Sequence, residues 1–196
     1  MHRVLVFLFS VTLLAGCEQR EQTSTAAPPA SSPSTPVAQA PSGEWGQARL
    51  DVCSLVTTDE VEEVQESPVT EARAMGRPDG DFFISQCIYT AEDASRSVVL
   101  SVSETNPARR AILSPRDAFH HTLSRHAKQQ AQGEKDFVPP RKLEGLADDA
   151  YWMGGAVYAL AKDRLLRMSV GGPFPDETKM EKSRSLAASA LSRLEP

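Results

Sequence analysis

Apolar and polar residues alternate with a period of two through the middle of the chain. Val98, Leu100 and Val102 share one side of segment 97–104, with Ser101 and Ser103 opposite. That is the spacing of a strand buried on one face. The run 82–90 (FFISQCIYT) is rich in aromatic and β-branched residues and predicts another strand. Segments 69–74, 150–153, 157–162 and 164–170 predict four more, the last two joined tightly at Lys162-Asp163. Gly76-Arg77-Pro78-Asp79-Gly80 has the composition of a turn. Three helices frame these strands. Thr57-Thr58-Asp59-Glu60 forms a capping box that opens a short helix to about residue 66, with Val61 and Val64 inward. Ser114-Pro115-Arg116-Asp117 opens a second, to about residue 132, with Phe119, Leu123 and Ala127 on its buried face. After the break at Pro139-Pro140, Asp176 caps a third helix to about Leu194, with Met180, Ala187, Leu191 and Leu194 inward. The order helix, three strands, helix, three strands, helix predicts an α+β domain: an antiparallel sheet with helices packed on one face. It also suggests two similar halves, although no sequence repeat is convincing.

Ahead of this domain the periodicity disappears. Residues 18–48 are mostly Gln, Ser, Thr, Ala and Pro, with Pro28, Pro29, Pro33, Pro36 and Pro41 spread along them. Such a segment buries too little apolar surface to order itself and is expected to be a disordered tether. As a coil it would span roughly 30 Å. Trp45 stands at the junction and is expected to dock onto the domain. Further upstream, Val4 to Leu14 is almost wholly apolar behind the basic start Met1-His2-Arg3. A spanning helix needs roughly 20 such residues, so the run suits the apolar core of a secretory signal. Leu14-Ala15-Gly16-Cys17 resembles the bacterial lipobox. The resemblance implies removal of residues 1–16 and acylation of Cys17 with palmitate-class chains, which anchor stably when two or more are attached. An ordinary signal peptide with a chance cysteine is the alternative. Glu18 follows, where Asp would favour the inner membrane, so the outer membrane is the expected address. The chain then divides into a signal peptide (1–16), a lipidated tether (17–48) and one α+β domain (49–196).

Charge and cysteine content narrow the partners. The chain has 21 Lys+Arg against 26 Asp+Glu, a formal net charge of −5, and loses Arg3 with the leader. An acidic protein is a poor candidate for nucleic acid or for a broad anionic membrane surface. Of three cysteines, Cys17 is reserved for lipid. Cys53 and Cys87 remain in an oxidising compartment and are expected to pair. Closing that loop would stabilise the fold by roughly 3–4 kcal/mol. Two buried free thiols are the alternative, and two cysteines without CxxC spacing fit no zinc pattern.

Asp51-Val52-Cys53-Ser54-Leu55-Val56-Thr57, the acidic helix after it, and Cys87-Ile88-Tyr89 are similar to a domain-of-unknown-function family of small bacterial envelope lipoproteins. Gly145-Leu146-Ala147-Asp148-Asp149-Ala150-Tyr151-Trp152 resembles a further stretch of such domains. Val52 and Ala147 stand where that family usually has Pro and Gly. The resemblance spans about residues 51–194 and implies a disulfide between Cys53 and Cys87. It implies no chemistry.

Candidate reactive groups do not converge. His120, His121 and His126 lie on one predicted helix, but not at the three- or four-residue spacing that would put two ligands on one face. Asp79-Gly80-Asp81 lacks the oxygen ligands of a calcium loop. Asp148-Asp149 are adjacent carboxylates with no acid/base partner fixed by sequence. No catalytic residue, metal or cofactor is therefore assigned. Gly171-Gly172-Pro173-Phe174-Pro175 is the most distinctive loop. Two prolines stiffen an aromatic between them, so Phe174, Pro173 and Pro175 form a candidate binding anchor. The competing role is local packing, with Pro175 and Met180 as a hydrophobic staple. Arg109-Arg110 forms a small basic spot.

The expected protein is a membrane-anchored lipoprotein that presents a non-catalytic interaction domain to the periplasm. Its expected partners are the bilayer, through acylated Cys17, and another envelope or secreted protein. The more specific version is an inhibitor or immunity factor against a secreted lytic enzyme. The alternative is an envelope enzyme with a dispersed active site near Asp148 and Asp149.

Overall fold

The alternating segments pair into one seven-stranded antiparallel sheet. A computed structural model describes residues 46–131 and 138–194, all within the unit Gln39–Pro196. The leader, Cys17, Trp45 and nearly all of the tether lie outside the described residues. The strands are β1 (Val69–Asp79), β2 (Phe82–Ala91), β3 (Val98–Thr105), β4 (Arg141–Lys142), β5 (Asp149–Met153), β6 (Ala156–Ala161) and β7 (Arg164–Val170). Their order is β1-β2-β3-β7-β6-β5-β4, so two meanders meet where β3 pairs with β7. The helices are α1 (Thr58–Gln65), α2 (Pro115–Ala131) and α3 (Asp176–Leu194). Short 3-10 turns at Val52–Leu55 and Ala94–Arg96 complete the elements. The α+β class and the element order match the expectation.

Register explains the core. Trp152 pairs with Val157, Val157 with Met168, Met168 with Leu100, and Leu100 with Cys87. Directly opposed residues share a face, so this row points one way, and all five are buried. Leu186, Ala187, Ala190 and Leu191 of α3 and Val61 of α1 belong to the same buried cluster. α1 starts as its sequence requires. The Glu60 N–H donates to Thr57 Oγ1 at 3.2 Å, and the Thr57 N–H donates to Glu60 Oε2 at 2.8 Å. Cys53, in the first 3-10 turn, is bonded to Cys87 of β2 with Cα atoms 5.2 Å apart. The bridge draws that turn and the start of α1 onto the sheet. Tyr89 locks the same junction by donating to the carbonyl oxygens of Val56 at 2.7 Å and Cys53 at 3.2 Å. Burial first, then the Glu60 and Asp51 carboxylates, pushes its phenol up to about 12.

α2 packs differently. Phe119 is fully buried, with its ring centroid 5.9 Å from that of Tyr151. Tyr151 stands between Ala150 and Trp152, which point into the main core. Strand alternation therefore puts Tyr151, and α2 with it, on the opposite side of the sheet. The shared helical face holds for α1 and α3 only. Met153, Ala156 and Leu160 are buried on the α2 side.

Four details depart from the expected elements. β1 continues through Gly76-Arg77-Pro78, leaving only Gly80-Asp81 as the turn, with Gly80 at φ +59°. An edge strand tolerates Pro78. Gly76 is required because a Cβ there would lie 2.8 Å from Ala48 Cα and Gln47 O, where the incoming chain crosses. The two-residue β4 adds a fourth strand to the second half. Ala127 is exposed, and Asp176 is the first residue of α3 rather than its cap.

Candidate functional site

The Gly171–Pro175 loop joins β7 to α3 and sits against the C-terminus of α1. Gly171 is squeezed under the 3-10 turn at 94–96: a Cβ would lie 2.1 Å from the Ser95 carbonyl oxygen. Gly172 takes φ +119°, and a Cβ on it would meet the Phe174 ring at 2.4 Å. Gly171 is thus needed under the 3-10 turn and Gly172 beside the ring. Gln65, the last residue of α1, is completely buried. Its Nε2 donates to the carbonyl oxygens of Arg96 and Gly171, so it fastens the helix end to both neighbouring segments.

Two cations meet at Phe174. The Arg96 guanidinium carbon lies 5.2 Å from the ring centroid and Lys182 Nζ lies 4.5 Å from it. Both also cap α1. Arg96 Nη1 donates to the Gln65 carbonyl at 2.9 Å and the Glu66 carbonyl at 3.4 Å, and Lys182 donates to the Val64 carbonyl. Carbonyls left open at a helix C-terminus favour such partners, and an aromatic face favours the same charges. Outside them lie acids: Glu66 at 3.8 Å from Lys182, and Asp93 at 3.4 Å from Arg96. Glu66, Glu92, Asp93 and Arg96 line a shallow depression of 440 Å³ with Ser67 and Pro68. Hydrogen bonds from the Ser95 O–H and N–H hold the Asp93 carboxyl below its usual range.

Phe174 is therefore half-buried and engaged by two cations, while Pro173 and Pro175 are exposed. Met180 is buried. Arg96, Lys182 and Gln65 were not singled out from sequence. They come from three separate elements, and no local pattern joins them.

The other candidate groups are scattered. His120 and His121 are exposed and His126 is half-buried. Among the described residues no cluster of three or more His, Cys, Asp or Glu side chains could hold a metal ion. Asp148 holds the β6–β7 turn: its Oδ2 accepts the Lys162 N–H at 2.9 Å and lies 3.5 Å from Arg116 Nη2. Asp149 begins β5. Asp81 clamps a loop, accepting the N–H groups of Ile112 and Leu113. No described helix is long and apolar enough to cross a membrane. Compared with family models, with curated proteins and with solved structures, the chain matches none.

Proposed function

We propose that the protein is a bacterial envelope lipoprotein. Cys17 carries the acyl anchor, the Pro-rich segment provides reach, and the α+β domain binds another envelope or secreted protein without catalysing a reaction. Its specific form would be an inhibitor or immunity factor against a secreted lytic enzyme. The observation that carries this reading is Leu14-Ala15-Gly16-Cys17 directly behind an apolar run of secretory length. The bonded Cys53–Cys87 pair supports an oxidising compartment. The acidic balance of the chain would steer it towards a basic partner.

Fractionation tests the anchor. The wild-type protein should sediment with the outer membrane and need detergent for release, whereas Cys17→Ser should be soluble in the periplasm. A Cys17→Ser protein that stays membrane-bound and detergent-dependent refutes the assignment. Crosslinking in intact cells then tests the partner: one envelope or secreted protein should be captured reproducibly.

A further inference from the structure

The loop between β3 and α2 holds apolar side chains out in water. Ile112 is 89% exposed and Leu113 38%, and Arg109 and Arg110 beside them are exposed as well. Chain slackness does not explain this exposure, because the backbone is tied at both ends to the β1–β2 turn. The Asn106 N–H donates to the Asp81 carbonyl at 2.8 Å, and its side-chain oxygen accepts the Ala108 N–H at 3.0 Å. Asp81 Oδ2 accepts the N–H groups of Ile112 at 3.1 Å and Leu113 at 3.0 Å. A fixed loop that presents two guanidiniums beside an apolar tip suits one kind of surface. Arginines bind phosphate oxygens, and an aliphatic tip enters the boundary beneath the headgroups.

The incoming chain joins the domain near this loop. Gly46 pairs with Gly76, about 13 Å along β1 from Gly80 and further from the opposite end at Val69. From Cys17 to Gly46 the chain reaches at most about 100 Å, so an anchor at Cys17 would confine the domain, and the loop with it, to that distance from the bilayer. Confinement of this kind raises the effective concentration of a weak second contact. The acidic balance of the whole chain opposes an anionic surface, but two carboxylates of the adjoining β1–β2 turn have partners of their own. Asp81 holds the loop backbone, and Asp79 lies 4.0 Å from Arg77.

We propose that Arg109, Arg110, Ile112 and Leu113 form a second, reversible membrane contact that recognises anionic phospholipid and orients the domain on its tether. The proximity argument rests on the lipoprotein reading; the loop chemistry does not. The test therefore uses the chain from residue 17 onward with Cys17→Ser, so that no acyl chain contributes. It should co-sediment at low salt with vesicles rich in phosphatidylglycerol and not with phosphatidylcholine vesicles. Ile112→Asp, and separately Arg109→Ala with Arg110→Ala, should each lower the bound fraction about tenfold while leaving the melting temperature unchanged. Failure of the parent chain to bind phosphatidylglycerol, equal binding to both vesicle types, or unaltered binding by the variants overturns the inference. So does a crosslinker at position 112 that captures a protein in cells instead of lipid. Each of these can occur while the wild type remains lipidated, and an unlipidated wild type removes the anchor reading without changing the vesicle result.

Discussion

The two faces of the sheet are held in different ways. On one face, α1, α3 and the 3-10 turn before α1 are joined to each other as well as to the strands. The Cys53–Cys87 bridge, Tyr89 and the paired Glu60 and Arg193 side chains all cross between elements there. On the other face α2 is the one helix among the described residues, with Pro115 and Phe119 buried and Phe119 against Tyr151. Residues buried over several elements open together, whereas an element held by few buried side chains can open locally. The comparison predicts a cooperative unit of sheet, α1 and α3, with α2 as a weaker layer.

The strongest way to break the cooperative face is to open the bridge. Its ends are 34 residues apart in sequence. On the chain-entropy account its loss should cost about 3–4 kcal/mol and lower the melting temperature by roughly 10 °C. α1 has eight residues and would be marginal alone, so its amides should lose exchange protection first. An unchanged melting temperature after verified reduction would show that packing alone holds this face.

Phe119→Ala probes the other face. Removing a buried aromatic creates a cavity, and at the margin of a thin layer part of it can collapse, for a loss of about 2–3 kcal/mol. Hydrogen exchange should rise along α2 while β2 and β3 keep their protection. Protection falling equally in all strands would instead mean that the two faces form one cooperative unit.

The sequence disclosed the strands of the cooperative face far better than their assembly. Val98, Leu100 and Val102 are fully buried, and Met180, Ala187, Leu191 and Leu194 all point inward, because burial imposes a period on both. Nothing periodic marks β4, whose two exposed residues, Arg141 and Lys142, pair with Trp152 and Tyr151. Gly76 and Pro78 have turn composition but belong to an edge strand, where a close chain crossing and an available edge override local preference. The side of the sheet that α2 covers depends on the parity of Tyr151, which only register reveals. The seat of Phe174 was legible as a stiff loop. Its cations were not, since residues 65, 96 and 182 are brought together by the fold alone.

The smallest effect separates the helix starts on the two faces by pH. α1 and α2 both carry reciprocal caps, Thr57 with Glu60 and Ser114 with Asp117. Only Glu60 also binds another element: Arg193 of α3 approaches both its oxygens at 2.9 Å. That guanidinium foremost, with the Thr57 N–H assisting and burial opposing, holds the Glu60 carboxyl at about 2 against an ordinary 4.5. Asp117 is lowered too, by the Ser114 hydroxyl and N–H, but without a partner on another helix. A carboxyl with a depressed folded-state pKa stabilises above its unfolded value and loses that contribution as pH falls through the folded one. The Glu60 contribution should therefore be complete above pH 4.5 and fade between 4.5 and about 2. Arg193 has a 40% exposed side chain, so solvent screening reduces the effect to about 1 kcal/mol. Glu60→Gln should destabilise at neutral pH by about that amount and flatten the stability profile in this window, whereas Asp117→Asn should leave the α1–α3 contact unchanged. A Glu60→Gln protein that keeps the wild-type slope between pH 4.5 and 2 would remove this pair as a cross-link of the cooperative face, leaving the bridge and the apolar core to account for its unity.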